Sequence, residues 1–179
     1  MRDLFGAGWS ELYDSAIEVP PGADGVTFVP YLVHERTTRR EASTGASWSG
    51  IAIGHRRPHL LKAVLEGVAF ALRQAMEALE ANGVSIPELR LAGGGTMNAS
   101  WRQMLADVLG KPLLAAVSPA GAARGAALLA GLAAETYAAP AELAALAPLH
   151  QLAAEPSTQS DMYSALYQQW LDRSAERSL

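Results

Sequence analysis

LAGGGTMNASWRQMLADVLG, residues 91–110, sets three consecutive glycines between a short apolar segment and a run with helical periodicity. Glycine loses more backbone freedom on folding than any other residue, so three in a row mark a place where the main chain turns tightly or is closely approached. Working outward, ELRLAG at 88–93 reads as a short strand, 98–109 as an amphipathic helix, and Gly110 as its C-terminal stop. The unpaired N–H groups of a helix's first turn point out of such a junction, and Thr96, Asn98 and Ser100 supply its polar edge. Gly93, Gly94 and Gly95 therefore offer bare backbone to a nucleotide. The same residues allow a plainer reading, a tight turn with Asn98 or Ser100 as an ordinary helix cap. The spacing is neither the dinucleotide fingerprint nor a P-loop, because GGGTMN lacks those glycine intervals and carries no lysine.

Upstream, residues 8–17 read as a short helix closed by PPGADG at 20–25, and GVTFVPYL at 25–32 as a strand in which Pro30 marks an edge or a strand end. HERTTRREASTG at 34–45 is a charged loop, and ASWSGIAI at 46–53 a second strand interrupted or bulged at Gly50. Pro58 opens a long helix that runs to Asn82 and stops at Gly83. Leu61, Leu65, Val68, Leu72, Met76 and Leu79 give it an apolar face, opposed by a stripe of Lys62, Glu66, Arg73, Glu77 and Glu80. We expect this helix to be largely buried, with Glu66 a half-exposed ion-pairing residue; the alternative is a carboxyl raised by apolar neighbours toward general-base behaviour. Gly67 costs about 1 kcal/mol relative to alanine inside a helix, which implies close approach by another element or a ligand.

Downstream, 111–117 reads as a strand and SPAGAARGAALLAG at 118–131 as a helix of small residues able to lie close against whatever it covers. Residues 138–155 look like a loose Ala/Pro segment. PSTQSDMYSALYQQWLDRSAER at 156–177 ends in a helix whose Met162, Tyr163, Leu166, Tyr167, Trp170 and Leu171 form one docking side. Strands alternating with helices imply parallel strands joined by crossover helices, an α/β layer architecture.

The chain has 179 residues, 50% hydrophobic and 18% charged, with a formal net charge of −4, so it can build a core and is a poor nucleic-acid ligand. It contains no cysteine, which removes disulfides, thiolate zinc sites and cysteine nucleophiles together. Neither a signal-peptide core nor a membrane-spanning stretch is read, and a cytoplasmic location is expected. His55 and His59 have the spacing of paired metal ligands on a helix, but Pro58 leaves His55 outside the first turn, so the favoured reading is that the pair caps or solvates the helix start. Asp107 has no second carboxylate at an acid/base or metal spacing, and no nucleophile elbow accompanies the serines and histidines.

FVPYL, the ERT of Glu35 to Thr37, the helix HLLKAVLEGVAFALRQAMEAL, the glycine turn and GAARGAALLAG occur in an order that resembles the C-terminal domain of the FGGY family of carbohydrate kinases, its xylulokinase-like members above all. The resemblance implies a ribonuclease-H-like, actin-like ATPase fold, a three-layer α/β/α domain truncated at its N-terminal strands. It divides the chain into a lead-in at 1–25, a nucleotide-binding body at 26–150 and a docking helix at 151–179. It implies ATP and Mg²⁺ as cofactors and a sugar hydroxyl, of xylulose or a related ketose or polyol, as acceptor. Gly93, Gly94, Gly95 and Thr96 would lie along the nucleoside with Asn98 near the adenine, and the helix around Gly121 and Gly125 would pack beneath the same pocket. No catalytic or metal-binding residue is assigned to this chain: the catalytic Asp belongs to an N-terminal domain, the expected partner, and the chain is expected to be a fragment inactive by itself. HERTT at 34–38 departs from the family's usual GERTP, with His34 for glycine and Thr38 for proline, which weakens the sugar assignment more than the nucleotide one. The alternatives are a catalytically inactive truncated domain used for homo-oligomerisation or interaction, and a sugar- or phosphate-binding module built on the ERTTRRE loop.

Overall fold

The structure, a computed structural model, describes residues 2–6, 8–31, 45–116, 121–144, 146 and 150–175. Apart from Gly45, the loop expected at 34–45 lies outside these residues. The element order is α1 (Arg2–Phe5), α2 (Trp9–Ile17), β1 (Thr27–Val29), β2 (Ser47–Ser49), α3 (Arg57–Ala81), β3 (Leu89–Leu91), α4 (Ala99–Leu109), β4 (Leu113–Ala116), α5 (Gly121–Ala133), α6 (Pro140–Ala144), β5 (His150–Ala154) and α7 (Ser160–Ala175).

Among the described residues the strands form two small sheets, β1–β2 and β3–β4–β5. β3 and β4 are parallel, Leu89 opposite Leu113 and Leu91 opposite Ala115, with α4 as their crossover. The expectation of parallel strands holds for that pair only: β1–β2 and β4–β5 are antiparallel. β5 corrects the expectation of a loose segment at 138–155. HQLAA has little intrinsic strand preference, and its pairing with β4 overrides composition. Pro30 and Gly50 end β1 and β2, the latter at φ +76°, so Gly50 marks a strand end and not a bulge.

α3 begins with Arg56 as cap and Pro58 in the first turn, and ends at Asn82 before Gly83 at φ +85°, as its sequence implies. Its buried side differs from the expected one. Leu72 and Leu79 of the apolar stripe are 48% and 53% exposed, whereas Lys62 and Glu66 of the charged stripe are 5% and 2% exposed. The reason for Glu66 is that β1 and α7 lie against the Glu66 and Gly67 side. A Cβ on Gly67 would sit 3.0 Å from the Phe28 carbonyl carbon and closer still to its oxygen. The close approach inferred from Gly67 is thus made by strand β1.

α7 docks as its periodicity suggests. Tyr163, Tyr167 and Trp170 are almost wholly buried, although Met162 stays 52% exposed. The Trp170 indole N–H donates to the Phe28 carbonyl at 2.8 Å, and the Tyr167 hydroxyl donates to Glu77 Oε2 at 2.8 Å. Arg73 lies 4.6 Å above the Tyr167 ring and donates to Val108 O and Ser164 Oγ, both at 3.1 Å. Buried Asp107 accepts the Ser157 N–H at 2.6 Å and so holds the chain entering α7.

Candidate functional site

The glycine turn joins β3 to α4. Gly93 takes φ +86°, a region side chains rarely tolerate, and Gly94–Thr96 make one turn of 3₁₀ helix. Thr96 Oγ1 donates to Gly93 O at 2.9 Å, and Asn98 caps α4 by accepting the Trp101 N–H at 2.9 Å. Asn98, not Ser100, is therefore the cap, and α4 ends in Gly110 at φ +63° as expected. The capping does not exhaust the turn. Space is open where side chains at Gly93 and Gly94 would project, so neither glycine is needed to admit another part of the described chain. A concavity of about 650 Å³ opens beside the turn, lined by Trp9, Ser10, Tyr13, Gly94, Met97 and Asn98.

Two of those walls were missed by sequence reasoning. Trp9 and Tyr13 belong to α2, and their spacing of four residues on an otherwise mixed helix is the signal that could have flagged them. In contrast, α5 does not lie beneath the concavity as expected. It buries no side chain among the described residues, and Gly121 and Gly125 face open space. Its small residues admit close contact without supplying a partner.

A second hollow, an apolar groove of about 770 Å³, runs between α2, α3, α4 and β3. It receives the apolar stripe of α3, including Leu65, Val68, Leu72 and Leu79, and the β3 residues Leu89 and Leu91. Trp9 and Tyr13 line both hollows, and Thr96 lines the groove, so the glycine turn stands where the two meet.

Glu66 is the main electrostatic correction. It accepts the Gly22 N–H at 2.8 Å, lies 4.0 Å from the Lys62 ammonium and accepts a hydrogen bond from Tyr163. Burial raises its carboxyl from 4.5 to about 7, against the pull of those partners, and burial lowers the Lys62 ammonium. It is not the half-exposed surface residue the charged stripe suggested. The pocket it lines, about 190 Å³, includes no residue of the glycine turn. His55 and His59 serve the start of α3: His55 Nδ1 accepts Ala52 N–H at 2.8 Å, His59 Nδ1 accepts Arg56 N–H at 3.0 Å, and His59 Nε2 meets Asp24 at 3.1 Å. The capping reading of that pair is the one the geometry supports.

Comparison with known proteins gives these positions a family context. The family model described as "FGGY family of carbohydrate kinases, C-terminal domain" matches residues 8–134. The xylulose kinase of Bacillus subtilis is 35% identical over 122 residues, covering 68% of this chain and 24% of that protein. The structure of a xylulose kinase from Brucella ovis superposes with a TM-score of 0.76 at 32% identity, covering 96% of this chain and 36% of the other. A Plasmodium falciparum glycerol kinase, solved with ADP, shares the fold at a TM-score of 0.75 and 24% identity, again over 96% of this chain and 34% of that one. The chain thus spans a quarter to about a third of the length of these relatives.

Proposed function

The chain belongs to the FGGY family of carbohydrate kinases, as a C-terminal domain, and on that premise we propose that it forms the adenosine-binding wall of an ATP-dependent carbohydrate kinase. The observation that carries this reading is the open glycine turn beside a concavity of nucleotide size. In this reading Gly93, Gly94, Gly95 and Thr96 run along the nucleoside, and Asn98, whose Oδ1 is engaged by Trp101 N–H, keeps its Nδ2 donor for a ring nitrogen. ATP supplies the transferred phosphoryl group. A flat heterocycle can rest on main chain only where no Cβ stands in the way. The ADP in the P. falciparum glycerol kinase, which has the same fold, is in keeping with this.

Phosphoryl transfer to a sugar hydroxyl further requires an acceptor for the hydroxyl proton, donors around the phosphates and a held metal. Among the described residues no cluster of three carboxylates or histidines could hold a metal ion. In this reading Mg²⁺ is carried by the nucleotide phosphates, and the catalytic Asp is supplied by an N-terminal domain, as the family resemblance implies. Residues 1–25 serve as lead-in, 26–150 as nucleotide-binding body and 151–179 as docking tail. The acceptor is xylulose or a related ketose or polyol, by likeness to the B. subtilis relative. No helix of the described residues is long and apolar enough to cross a membrane, and we place the kinase in the cytoplasm, where ATP and sugars meet.

Titration of ADP into wild type and Gly94→Val tests the assignment. The valine side chain enters open space at an ordinary backbone conformation, so thermal stability should hold while affinity falls more than tenfold. Equal affinities would remove the turn from the nucleotide site. The 179-residue chain alone should transfer no phosphate to xylulose, and turnover by it would place the proton acceptor here after all.

The apolar groove favours a second reading, an interaction module. As a kinase domain, the chain seats the remainder of its own polypeptide there; as an interaction module, it associates with itself. Light scattering separates the two, since a concentration-independent monomer that binds ADP excludes the self-associating module.

A further inference from the structure

Trp9 and Tyr13 stand one helical turn apart on α2, with ring centroids 6.4 Å apart and planes inclined by 26°. Tyr13 in turn lies 6.4 Å from Trp101 at 31°. The three rings make a ladder that starts in the core, where Trp101 is 8% exposed, and ends in solvent, where Trp9 is 60% exposed. Its inner rung belongs to α4, and the Trp101 N–H is the donor that Asn98 Oδ1 accepts. One helix terminus therefore fixes both sides of the concavity: Gly94 and Asn98 through the cap, and Trp9 through the stacked rings.

We propose that Trp9 is the second wall of the nucleoside site, its indole stacking on the purine whose other side rests on the bare backbone at Gly94. This rests on the nucleotide reading given above and adds to it a residue from a different element. The lining suits a flat heterocycle better than an apolar peptide. It pairs an aromatic face with an unobstructed main chain and places the Asn98 amide and the Ser10 hydroxyl along the edge, where ring nitrogens and ribose hydroxyls need partners. Because the ladder is braced from the core, little rotamer freedom is left to lose on binding. Stacking recognises any base, so Trp9 contributes affinity and leaves discrimination among purines to Asn98.

Calorimetric titration of adenosine and ADP into this chain, as wild type, Trp9→Ala and Trp9→Phe, tests the assignment. Loss of one base-stacking ring corresponds to roughly a 5- to 150-fold weakening. We expect Trp9→Ala to weaken adenosine and ADP by the same factor, at least tenfold, with an unchanged thermal midpoint because the side chain is exposed. Trp9→Phe should retain affinity within about threefold while losing the ADP-induced change in indole fluorescence. Equal affinity of wild type and Trp9→Ala overturns this proposal alone and gives the exposed indole to a contact with the remaining polypeptide. A loss seen for ADP but not for adenosine also overturns it. Failure of the wild type to bind ADP overturns the nucleotide reading, and this assignment falls with it.

Discussion

Gly67→Ala removes a substantial share of the chain's stability, although alanine is the better helix former by about 1 kcal/mol. The added methyl would project from α3 into the carbonyl of Phe28, with the carbon 3.0 Å away and the oxygen nearer. A flexible side chain could swing aside; a strand backbone cannot. α3 and β1 must separate, and the same Phe28 oxygen then shifts from the Trp170 indole that anchors α7. Overpacking typically costs about 1 to 3 kcal/mol, and here it is coupled to a lost buried hydrogen bond. We expect about 3 kcal/mol or more, against a total of roughly 5 to 15 kcal/mol for a typical domain. Gly125→Ala in α5 is the matched control: a Cβ there meets nothing, so the ordinary helical preference should appear as a gain of about 0.5 to 1 kcal/mol. Urea unfolding of the two variants should move in opposite directions. A Gly67→Ala midpoint at or above wild type would mean that β1 does not lie against α3 as described.

That contrast also marks what could be read from the sequence. Helix ends were legible because their signals are local: Asn98 before α4, Gly110 after it, Pro58 and Gly83 bounding α3. Periodicity likewise located the docking side of α7, since Tyr163, Tyr167 and Trp170 all reach the core. What periodicity reports is which face is apolar, not which face is covered. On α3 those questions have different answers. β1 and α7 lie against Glu66 and Gly67, while Leu72 and Leu79 border the groove. β5 was hidden for a related reason, because its five residues become a strand only through β4. At the candidate site the glycine turn stood out by composition. Its opposite wall did not, since nothing local ties Trp9 to Gly94; the link runs through Tyr13 and Trp101 in space. α5 shows the reverse error, with small residues that permit close packing taken as a sign that packing occurs.

The buried charge that periodicity misplaced carries the second large effect. Glu66 holds its proton up to about pH 7 in the folded chain, against an ordinary value of 4.5, chiefly because its carboxylate is buried at 2% exposure. Between those values the folded protein keeps a proton that the unfolded chain has released, so raising the pH favours unfolding. The stability associated with neutral Glu66 is fully present below about pH 4.5, declines as the pH rises, and is lost once the pH passes through 7. The difference corresponds to about 3 kcal/mol. Glu66→Gln keeps an oxygen for the Gly22 N–H and a group for the Tyr163 hydroxyl, and it cannot ionise. Lys62 then keeps the environment it has beside neutral Glu66. Wild type and variant should therefore unfold at similar urea concentrations near pH 5. By pH 8 the glutamine form should be the more stable by about 2 to 3 kcal/mol. Because Glu66 joins the turn at Gly22 to α3 and, through Tyr163, to α7, the pH-dependent loss should appear first as faster amide exchange in α7 and around Gly22. Parallel wild-type and Glu66→Gln stabilities across pH 5 to 8 would show that the carboxyl titrates as an ordinary exposed glutamate, and the burial described for it would then be wrong.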